Sequence, residues 1–258
     1  MGIAEALGIF AAGIGAGTIN AVVGSGSLIT FPTLLAFGFP PVTANVSNNI
    51  GLVPGNAAGA WGYRRELAGQ RSRLLWLGIF SALGSAAGAV MLLALPAGAF
   101  RFIVPVLILI SCVLVLLQPR LSARIAARRE RAGTSGASRD RGGSVLAGGV
   151  LGAGIYGGYF GAAQGVLVIG LLGSFLDESM QRINGAKNVL VGIVNGVAAI
   201  IYIIFAPVSW PAVLLVAAGS TIGGLLGARV GRKLPPLVLR IIIVVIGVIA
   251  IVKLLFFP

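Results

Sequence analysis

The sequence predicts an all-helical protein that crosses a membrane several times, and three observations lead to this prediction. Of the 258 residues, 57% are hydrophobic and only 10% are charged, whereas about a quarter of the residues in a soluble domain are charged. Several charge-free stretches reach the roughly 20 apolar residues that a membrane helix needs. The apolar runs also lack the strict alternation of barrel strands. We therefore expect about eight transmembrane helices, with up to about ten helical segments.

The predicted segments form two groups of four on either side of a polar stretch. The first group covers 4–38, 42–63, 74–95 and 100–117, and the second covers 148–176, 183–205, 210–228 and 237–257. The first segment of each group is interrupted by glycine, around residues 24–27 and 161–165. We therefore predict a first transmembrane repeat at 1–117, a basic linker at 118–143 whose first half is helical, and a second transmembrane repeat at 144–258.

The second group repeats the first at a nearly constant spacing. At an offset of 139, Asn45, Asn49, Asn56 and Tyr63 fall on Asn184, Asn188, Asn195 and Tyr202. Glycines match at an offset of 137 in the first segments (Gly15, Gly17 and Gly24) and at 135 in the third segments (Gly84 and Gly88). The amide and tyrosine matches are the more informative because glycine is so common here. They indicate a tandem duplication, on which many transporter folds are built.

The distribution of positive charge predicts the orientation of the repeats. If each repeat had four simple spans, the Lys and Arg side chains other than Lys187 would divide 12 inside to 6 outside. If each interrupted first segment is a hairpin that returns to its own side, the repeats are inverted and the division is 16 to 2. The positive-inside rule favours inverted repeats with a cytoplasmic linker. The net charge of +13 thus indicates a lipid bilayer as partner and not nucleic acid.

Catalytic patterns are missing from the sequence. It has no histidine and one cysteine, so it lacks the commonest metal ligand and the commonest general base. The run Gly24-Ser25-Gly26-Ser27 does not fit a nucleophile elbow, and no phosphate-binding loop with its lysine is present. We therefore expect a protein that is not an enzyme, with no catalytic residue, cofactor or metal site.

The two glycine interruptions are the first candidate site. A helix that breaks inside a bilayer leaves N–H groups unpaired, and these must face protein or a water-filled cavity. The following half-helix presents a partial positive charge, which suits an anion. The alternative is close helix packing through small residues. The candidate residues at the breaks are Gly24, Ser25, Gly26, Ser27, Gly161 and Gln164.

Polar side chains at the starts of two spans form the second candidate site. Helical spacing places the amides of the first span on one face, which should point to the protein interior. The lysine of the second span costs about 2.5–3.5 kcal/mol at mid-membrane. The alternatives are interhelical hydrogen bonding by the amides and snorkelling of the lysine to water. The candidate residues are Asn45, Asn48, Asn49, Asn184, Lys187 and Asn188.

Several of these residues belong to runs that resemble a known family. Gly24-Ser25-Gly26-Ser27-Leu28-Ile29-Thr30-Phe31-Pro32, with Gly38-Phe39-Pro40-Pro41, resembles the first half of the sulfite exporter TauE/SafE family. Asn184-Gly185-Ala186-Lys187-Asn188 and Val208-Ser209-Trp210 resemble its second half. The first signature departs from the family's usual glycine triplet at Ser25 and Ser27, and Gln164 stands where a small residue is common.

The resemblance implies a permease of about eight spans in two repeats, in the inner membrane of a bacterium. It also implies a small anionic substrate, such as sulfite, a sulfonate or another organic anion. A second copy of the chain is a further candidate partner. The alternative is a membrane scaffold or assembly factor that transports nothing, since an internal duplication fits either function.

The inverted arrangement gives a testable topology. Reporters fused after Pro41 and after Asp177 should lie on opposite sides of the membrane, because the hairpin places the first outside and the second inside. Alkaline phosphatase activity and fluorescent protein emission at each fusion measure the side. The same side for both fusions would show parallel repeats.

Overall fold

The structure, a computed structural model, describes residues 1–132 and 143–230 and, near the C-terminus, residues 241, 244–249 and 251–252. The secondary structure of these residues is helical, as predicted. The helices are α1 (Ile3–Val22), α2 (Ser27–Ala36), α3 (Pro41–Gly62), α4 (Arg71–Ala94), α5 (Ala97–Ala132), α6 (Gly143–Tyr159), α7 (Gln164–Phe175), α8 (Met180–Phe205) and α9 (Trp210–Val230). The last predicted span, 237–257, lies largely outside the described residues, as does the second half of the predicted linker.

Five described helices are long and apolar enough to cross a membrane, namely α1, α4, α5 over Phe102–Arg120, α8, and α9 over Trp210–Arg229. Helix α3 has 22 residues, but its asparagines lower its hydropathy. Helices α2 and α7, of 10 and 12 residues, are too short to span a bilayer alone. The chain is therefore a polytopic helical membrane protein.

Each predicted interruption is a sharp reversal of the chain. Gly24 has a φ of 84°, and in the second break Gly161 and Ala163 have φ values of 76° and 58°, a region that glycine enters easily and alanine rarely. The second half-helix then runs back along the first. A Cβ atom at Gly8 would lie 2.8 Å from the Phe37 ring, and one at Gly149 would lie 2.6 Å from Leu171. Both segments are therefore helical hairpins.

The two hairpins pack against the opposite halves of the chain. Helix α1 packs along α9, and α6 packs along α4. A Cβ atom at Gly223 would overlap the main chain of α1 at Ile14, and one at Gly88 would overlap α6 at Ile155. The glycines matched at an offset of 135 thus have equivalent environments, and glycine is needed there because the backbones touch.

In the first segments the packing register differs from the sequence matches by one helical turn. Gly17 lies against the Ser220 carbonyl and Gly158 lies against the Ser85 carbonyl, so these equivalent glycines are 141 residues apart and not 137. A helix turns once in about 3.6 residues. A shift of four residues therefore leaves glycines on the same face of the helix. Glycine matches alone thus do not determine which residues of the two halves are equivalent.

Helix α5 continues from the fourth predicted span into the predicted linker. It runs without interruption over 36 residues to Ala132, so the first half of the linker is helical, as expected. The residue-117 boundary lies within this helix, and the division into repeats and linker stays a prediction.

Ionic and polar contacts join the start of α4 and the loop before it to the start of α8 and the loop before it. Glu178 accepts hydrogen bonds from Arg73 Nη1 at 2.8 Å and from Arg182 Nε at 2.5 Å. Gln70 Nε2 donates to the Arg182 carbonyl at 3.3 Å. Both loops therefore lie at one end of the molecule, as expected for inverted repeats, and the orientation of the repeats stays a prediction. The side of the membrane on which this end lies stays a prediction.

The carboxyl of Glu178 should make folding pH-dependent. Partial burial alone would raise its pKa, but the hydrogen bonds from Arg182 and Arg73 outweigh burial and hold the pKa below the usual 4.5. A lowered folded-state pKa stabilises the protein above the unfolded pKa, and this contribution is lost as the pH falls through the folded pKa. The thermal stability of the purified protein should therefore decline as the pH falls below about 4.5.

The Glu178→Gln variant tests whether Glu178 causes the loss of thermal stability at low pH. Its amide does not titrate, so the part of the loss that is due to Glu178 should be absent. The matched control is Asp177→Asn, since Asp177 is exposed and should leave the profile unchanged. A Glu178→Gln profile parallel to that of the parent would contradict the assignment.

Candidate functional site

The two helix breaks touch each other through Gly24 and Gly165, which are 141 residues apart in sequence. The Gly165 N–H at the start of α7 donates to the Gly24 carbonyl at 3.0 Å. A Cβ atom on either glycine would overlap the other residue's main chain. The structure thus brings Gly24 of the first break against Gly165 of the second, so the candidate residues Ser25 and Gln164 each lie one position from this contact in sequence.

Lys187 of α8 lies at the first break. Its ammonium Nζ donates to the main-chain oxygens of Asn20 and Ala21, at 2.6 and 3.0 Å, and its alkyl stem passes beside Gly24. The residue is only 1% exposed, so the ammonium does not snorkel to water. The last carbonyls of a helix carry partial negative charge. Lys187 therefore caps the C-terminal end of α1.

Asparagines cap the broken helices in both halves. Asn188 Nδ2 donates to the Ala21 carbonyl at 3.3 Å, and Asn45 Nδ2 donates to the Tyr159 carbonyl at the end of α6 at 3.1 Å. The start of α8 thus caps α1, and the start of α3 caps α6. Each half of the chain supplies hydrogen-bond donors to the other half's broken helix.

Of the remaining predicted asparagines, Asn48 and Asn49 form side-chain hydrogen bonds, whereas the Asn184 side-chain oxygen forms none in the described part of the chain. Asn49 Nδ2 donates to Asn195 Oδ1 at 3.3 Å, which joins α3 to α8, and Asn48 accepts a hydrogen bond from Thr30. These bonds fit the structural alternative for Asn48 and Asn49. Asn184 is half-buried, and its Oδ1 has no partner in the described part of the chain.

Asn20 is a residue of the site that the sequence analysis missed. Its side chain donates to Asn56 Oδ1 at 2.5 Å and accepts from the Gly26 N–H at 3.4 Å, while its carbonyl accepts from Lys187. One residue thus links α1, α3, α8 and the first break. Its position in the sequence could have identified it as a site residue, because Asn20 is the one amide side chain in 4–38 and lies four residues before Gly24.

Ser111 and Tyr156 were also missed, and both act at the second break. Their hydroxyls donate to the Ala162 carbonyl at 3.0 and 2.6 Å, and the two hydroxyls are 2.8 Å apart. Ser111 lies on α5, far away in sequence, and only the fold brings it to this carbonyl. The second break is therefore held by side chains as well as by its glycine.

Two polar side chains at the breaks lack partners. Ser25 Oγ and Gln164 Oε1 are buried without a hydrogen-bond partner among the described residues, and each residue is 1% exposed. An unmade hydrogen bond in a buried position costs about 1–3 kcal/mol. Ser25 lies just before Ser27, which begins α2, so its hydroxyl is available to a ligand at that helix end.

The second break is filled by protein in this conformation. The N–H groups of Gln164 and Val166 donate to the carbonyls of Gly161 and Ala163, at 3.2 and 3.0 Å, and the intervening Gly165 N–H is used by Gly24. The expected anion position at the start of α7 is thus taken by a carbonyl of the other half. At the start of α2 the N–H groups of Leu28 and Ile29 are likewise used, by the carbonyls of Ser25 and Gly26 at 3.1 and 2.9 Å. The Ser25 hydroxyl has no partner in the described part of the chain, so it is the better candidate contact for an anion.

The cluster is closed to solvent and cationic. Of the candidate polar residues, Ser25, Asn45, Asn48, Asn49, Gln164, Lys187 and Asn188 are all 5% exposed or less. The carboxylates whose surroundings the structure describes, Glu5, Glu66, Asp177 and Glu178, lie in the first turn of α1 or in loops. Over the described ranges, no group of three His, Cys, Asp or Glu side chains could hold a metal ion.

Comparison with known proteins gives one family and several relatives. The model of the family described as sulfite exporter TauE/SafE matches residues 9–254. A "Probable membrane transporter protein" of Haemophilus influenzae is 26% identical over 224 residues, which cover 86% of this chain and 83% of the relative. The "Probable membrane transporter protein YfcA" of Escherichia coli strain K12 is 25% identical over 242 residues, 93% of this chain and 86% of the relative. No solved structure matches the chain.

The contact between the breaks can be tested with one methyl group. Gly165→Ala should destabilise the protein by about 1–3 kcal/mol, because the added Cβ atom has no room beside Gly24. The control is Gly152→Ala on α6, where a Cβ atom would meet nothing within 4 Å and alanine favours the helix. Thermal unfolding in detergent measures both variants. Equal melting temperatures for the two would show that the breaks do not touch.

Proposed function

Because this chain belongs to the sulfite exporter TauE/SafE family, we propose that it is a secondary transporter that carries a small anion across the membrane. The family and the named relatives indicate a membrane transporter. The proposal adds the substrate class, which is sulfite, a sulfonate or another organic anion, and the location in the inner membrane of a bacterium. It also assigns the anion to the cluster at the two helix breaks, near mid-membrane.

The observation that carries the proposal is a buried cation without a carboxylate partner. The described contacts of the Lys187 ammonium are to two neutral carbonyls. Buried charges are normally paired, and an ionisable residue inside a membrane protein is by default a candidate functional residue. Helix-end carbonyls carry only about half an elementary charge. A bound anion would complete the charge balance.

Hydrogen-bond donors suited to an anion remain available around this cation. An ammonium has three donors, and Lys187 uses two of them on α1. The Ser25 hydroxyl has no partner, the Asn184 amide offers two N–H donors, and Asn188 has one N–H left beside its bond to the Ala21 carbonyl. Charge-assisted hydrogen bonds to such groups are the strong ones in proteins. The arrangement favours an anion over a metal cation, which would call for converging carboxylates.

The closed cluster is consistent with one state of a transport cycle. Substrate must reach a buried site first from one side and then from the other, and transporters achieve this by moving one repeat against the other around broken helices. Here the two hairpins meet through glycine main chains. The alternative function, a membrane scaffold, is supported by asparagine pairs whose hydrogen bonds only join helices, such as Asn49 with Asn195.

Two variants test the anion site. Ser25→Ala should not lower the basal stability, because its buried hydroxyl makes no bond in the protein and the change removes that unmade hydrogen bond. It should weaken anion binding about ten-fold. Lys187→Met should weaken anion binding about ten- to a hundred-fold. It should also lower the basal stability, because the Asn20 and Ala21 carbonyls lose their donor. The measurements are the thermal shift with sulfite and sulfoacetate, and the flux of labelled sulfite into proteoliposomes.

The control variant is Thr33→Val in the same hairpin, whose hydroxyl is already bonded to the Ile29 carbonyl at 2.8 Å. It should respond to anions as the parent does. A parent that shows neither a thermal shift nor flux with any anion would favour the scaffold. A parent that responds, together with a Ser25→Ala variant that responds equally, would place the anion elsewhere.

A further inference from the structure

A pocket of about 560 Å³ opens at the end of the molecule where α3 and α9 finish. It lies between the last turn of α3, the loop that follows, and the last turns of α9. The residues that line it are Trp61, Gly62, Arg64, Arg65, Glu66, Leu225 and Arg229. Three guanidinium groups thus surround one cavity, together with one carboxylate. This pocket is separate from the cluster at the helix breaks.

The positive charge of this pocket is not balanced by the protein around it. Over the described part of the chain, Arg64, Arg65 and Arg229 form no ion pair, whereas Arg73 and Arg182 nearby are paired with Glu178. The three guanidinium groups outnumber the single carboxylate of the pocket, Glu66, and they repel one another. They also present fixed N–H donors that match the oxygens of a phosphate. The pocket is therefore chemically suited to a phosphate-type oxyanion.

One of the three arginines is held in place before any ligand binds. The Arg64 guanidinium stacks over the Trp61 ring at 5.1 Å from its centroid, and Arg64 Nη1 donates to the Trp61 carbonyl at 3.2 Å. An arginine fixed in this way loses less conformational entropy when it binds an oxyanion. The arrangement thus favours a built binding site over three independent surface arginines.

The surroundings of the pocket select a lipid over a dissolved anion. Trp61 is 66% exposed and Leu225 is 37% exposed, and the neighbouring α9 residues Ile222 and Leu226 are each 44% exposed. An apolar helix face of this kind contacts acyl chains, and tryptophan favours the membrane–water interface. The basic pocket therefore lies where the headgroups of one leaflet would be. By the positive-inside rule this is the cytoplasmic leaflet, which carries the anionic lipids.

We propose that this pocket binds the phosphate of an anionic phospholipid, with Arg64, Arg65 and Arg229 contacting its oxygens and Trp61 lying beside its acyl chains. Each arginine near a membrane surface strengthens the binding of an anionic lipid about five-fold. The site is independent of the transported substrate, and it fixes the loop between α3 and α4 to the bilayer.

Quenching of Trp61 fluorescence by brominated lipid tests the proposal directly. The full-length protein, with Trp76→Phe and Trp210→Phe so that Trp61 is the one tryptophan, is placed in phosphatidylcholine vesicles. Brominated phosphatidylglycerol or brominated phosphatidylcholine is then added at equal mole fractions. We expect phosphatidylglycerol to quench at a several-fold lower mole fraction, and Arg65→Gln with Arg229→Gln to remove most of this preference. The control is Arg124→Gln, an exposed arginine of α5, which should keep the preference.

Three results would overturn the proposal. The first is equal quenching by the two lipids in the parent. The second is an equal loss of preference in the Arg124→Gln control, which would mean that only net charge matters. The third is displacement of phosphatidylglycerol by millimolar glycerol phosphate, which would assign the pocket to a dissolved oxyanion. Preference that survives glycerol phosphate and falls only in the pocket variant supports a bound lipid.

Discussion

The rest of this structure depends on how two helices can end inside the protein. Helix α1 stops at Val22 and α6 stops at Tyr159, and each end exposes carbonyls that water would normally satisfy. In lipid such groups are costly, so the protein must supply donors. The first break receives Lys187 and Asn188, and the second receives Asn45, with Ser111 and Tyr156 acting on Ala162.

Apart from Tyr156, these donors come from the opposite half of the chain, so each half depends on the other. Helix α8 caps α1, α3 caps α6, and the breaks meet at Gly24 and Gly165. The two hairpins can therefore move relative to the rest of the protein only if these hydrogen bonds break and others form. An anion that attracts the Lys187 ammonium would compete with the α1 carbonyls for the same donors. Binding and rearrangement would then be coupled through one side chain, which is what a transport cycle requires.

Charge is distributed differently at the end of the molecule and in its interior. At the end that carries the α3–α4 loop, Glu178 pairs with Arg73 and Arg182, while Arg64, Arg65 and Arg229 line an unbalanced pocket. In the interior the described charge is the single ammonium of Lys187. The paired group holds two loops together within the protein, whereas the unpaired arginines are exposed. The charges of Glu178, Arg73 and Arg182 thus stabilise the fold, whereas those of the pocket arginines and of Lys187 are available to ligands.

The sequence by itself determined the helical membrane class, the two glycine interruptions and the family, because hydropathy, glycine and signature residues are local properties of the chain. The tertiary structure decided which donors meet which carbonyls. Lys187 could be marked as unusual from its apolar surroundings, but its position on Asn20 and Ala21 depends on the packing of α8 against α1. Asn20 and Ser111 were missed because nothing in their neighbouring sequence shows the partner. The one-turn shift between Gly17 and Gly158 has the same origin, since small residues that recur every turn fit several registers and only close packing of the backbones selects one.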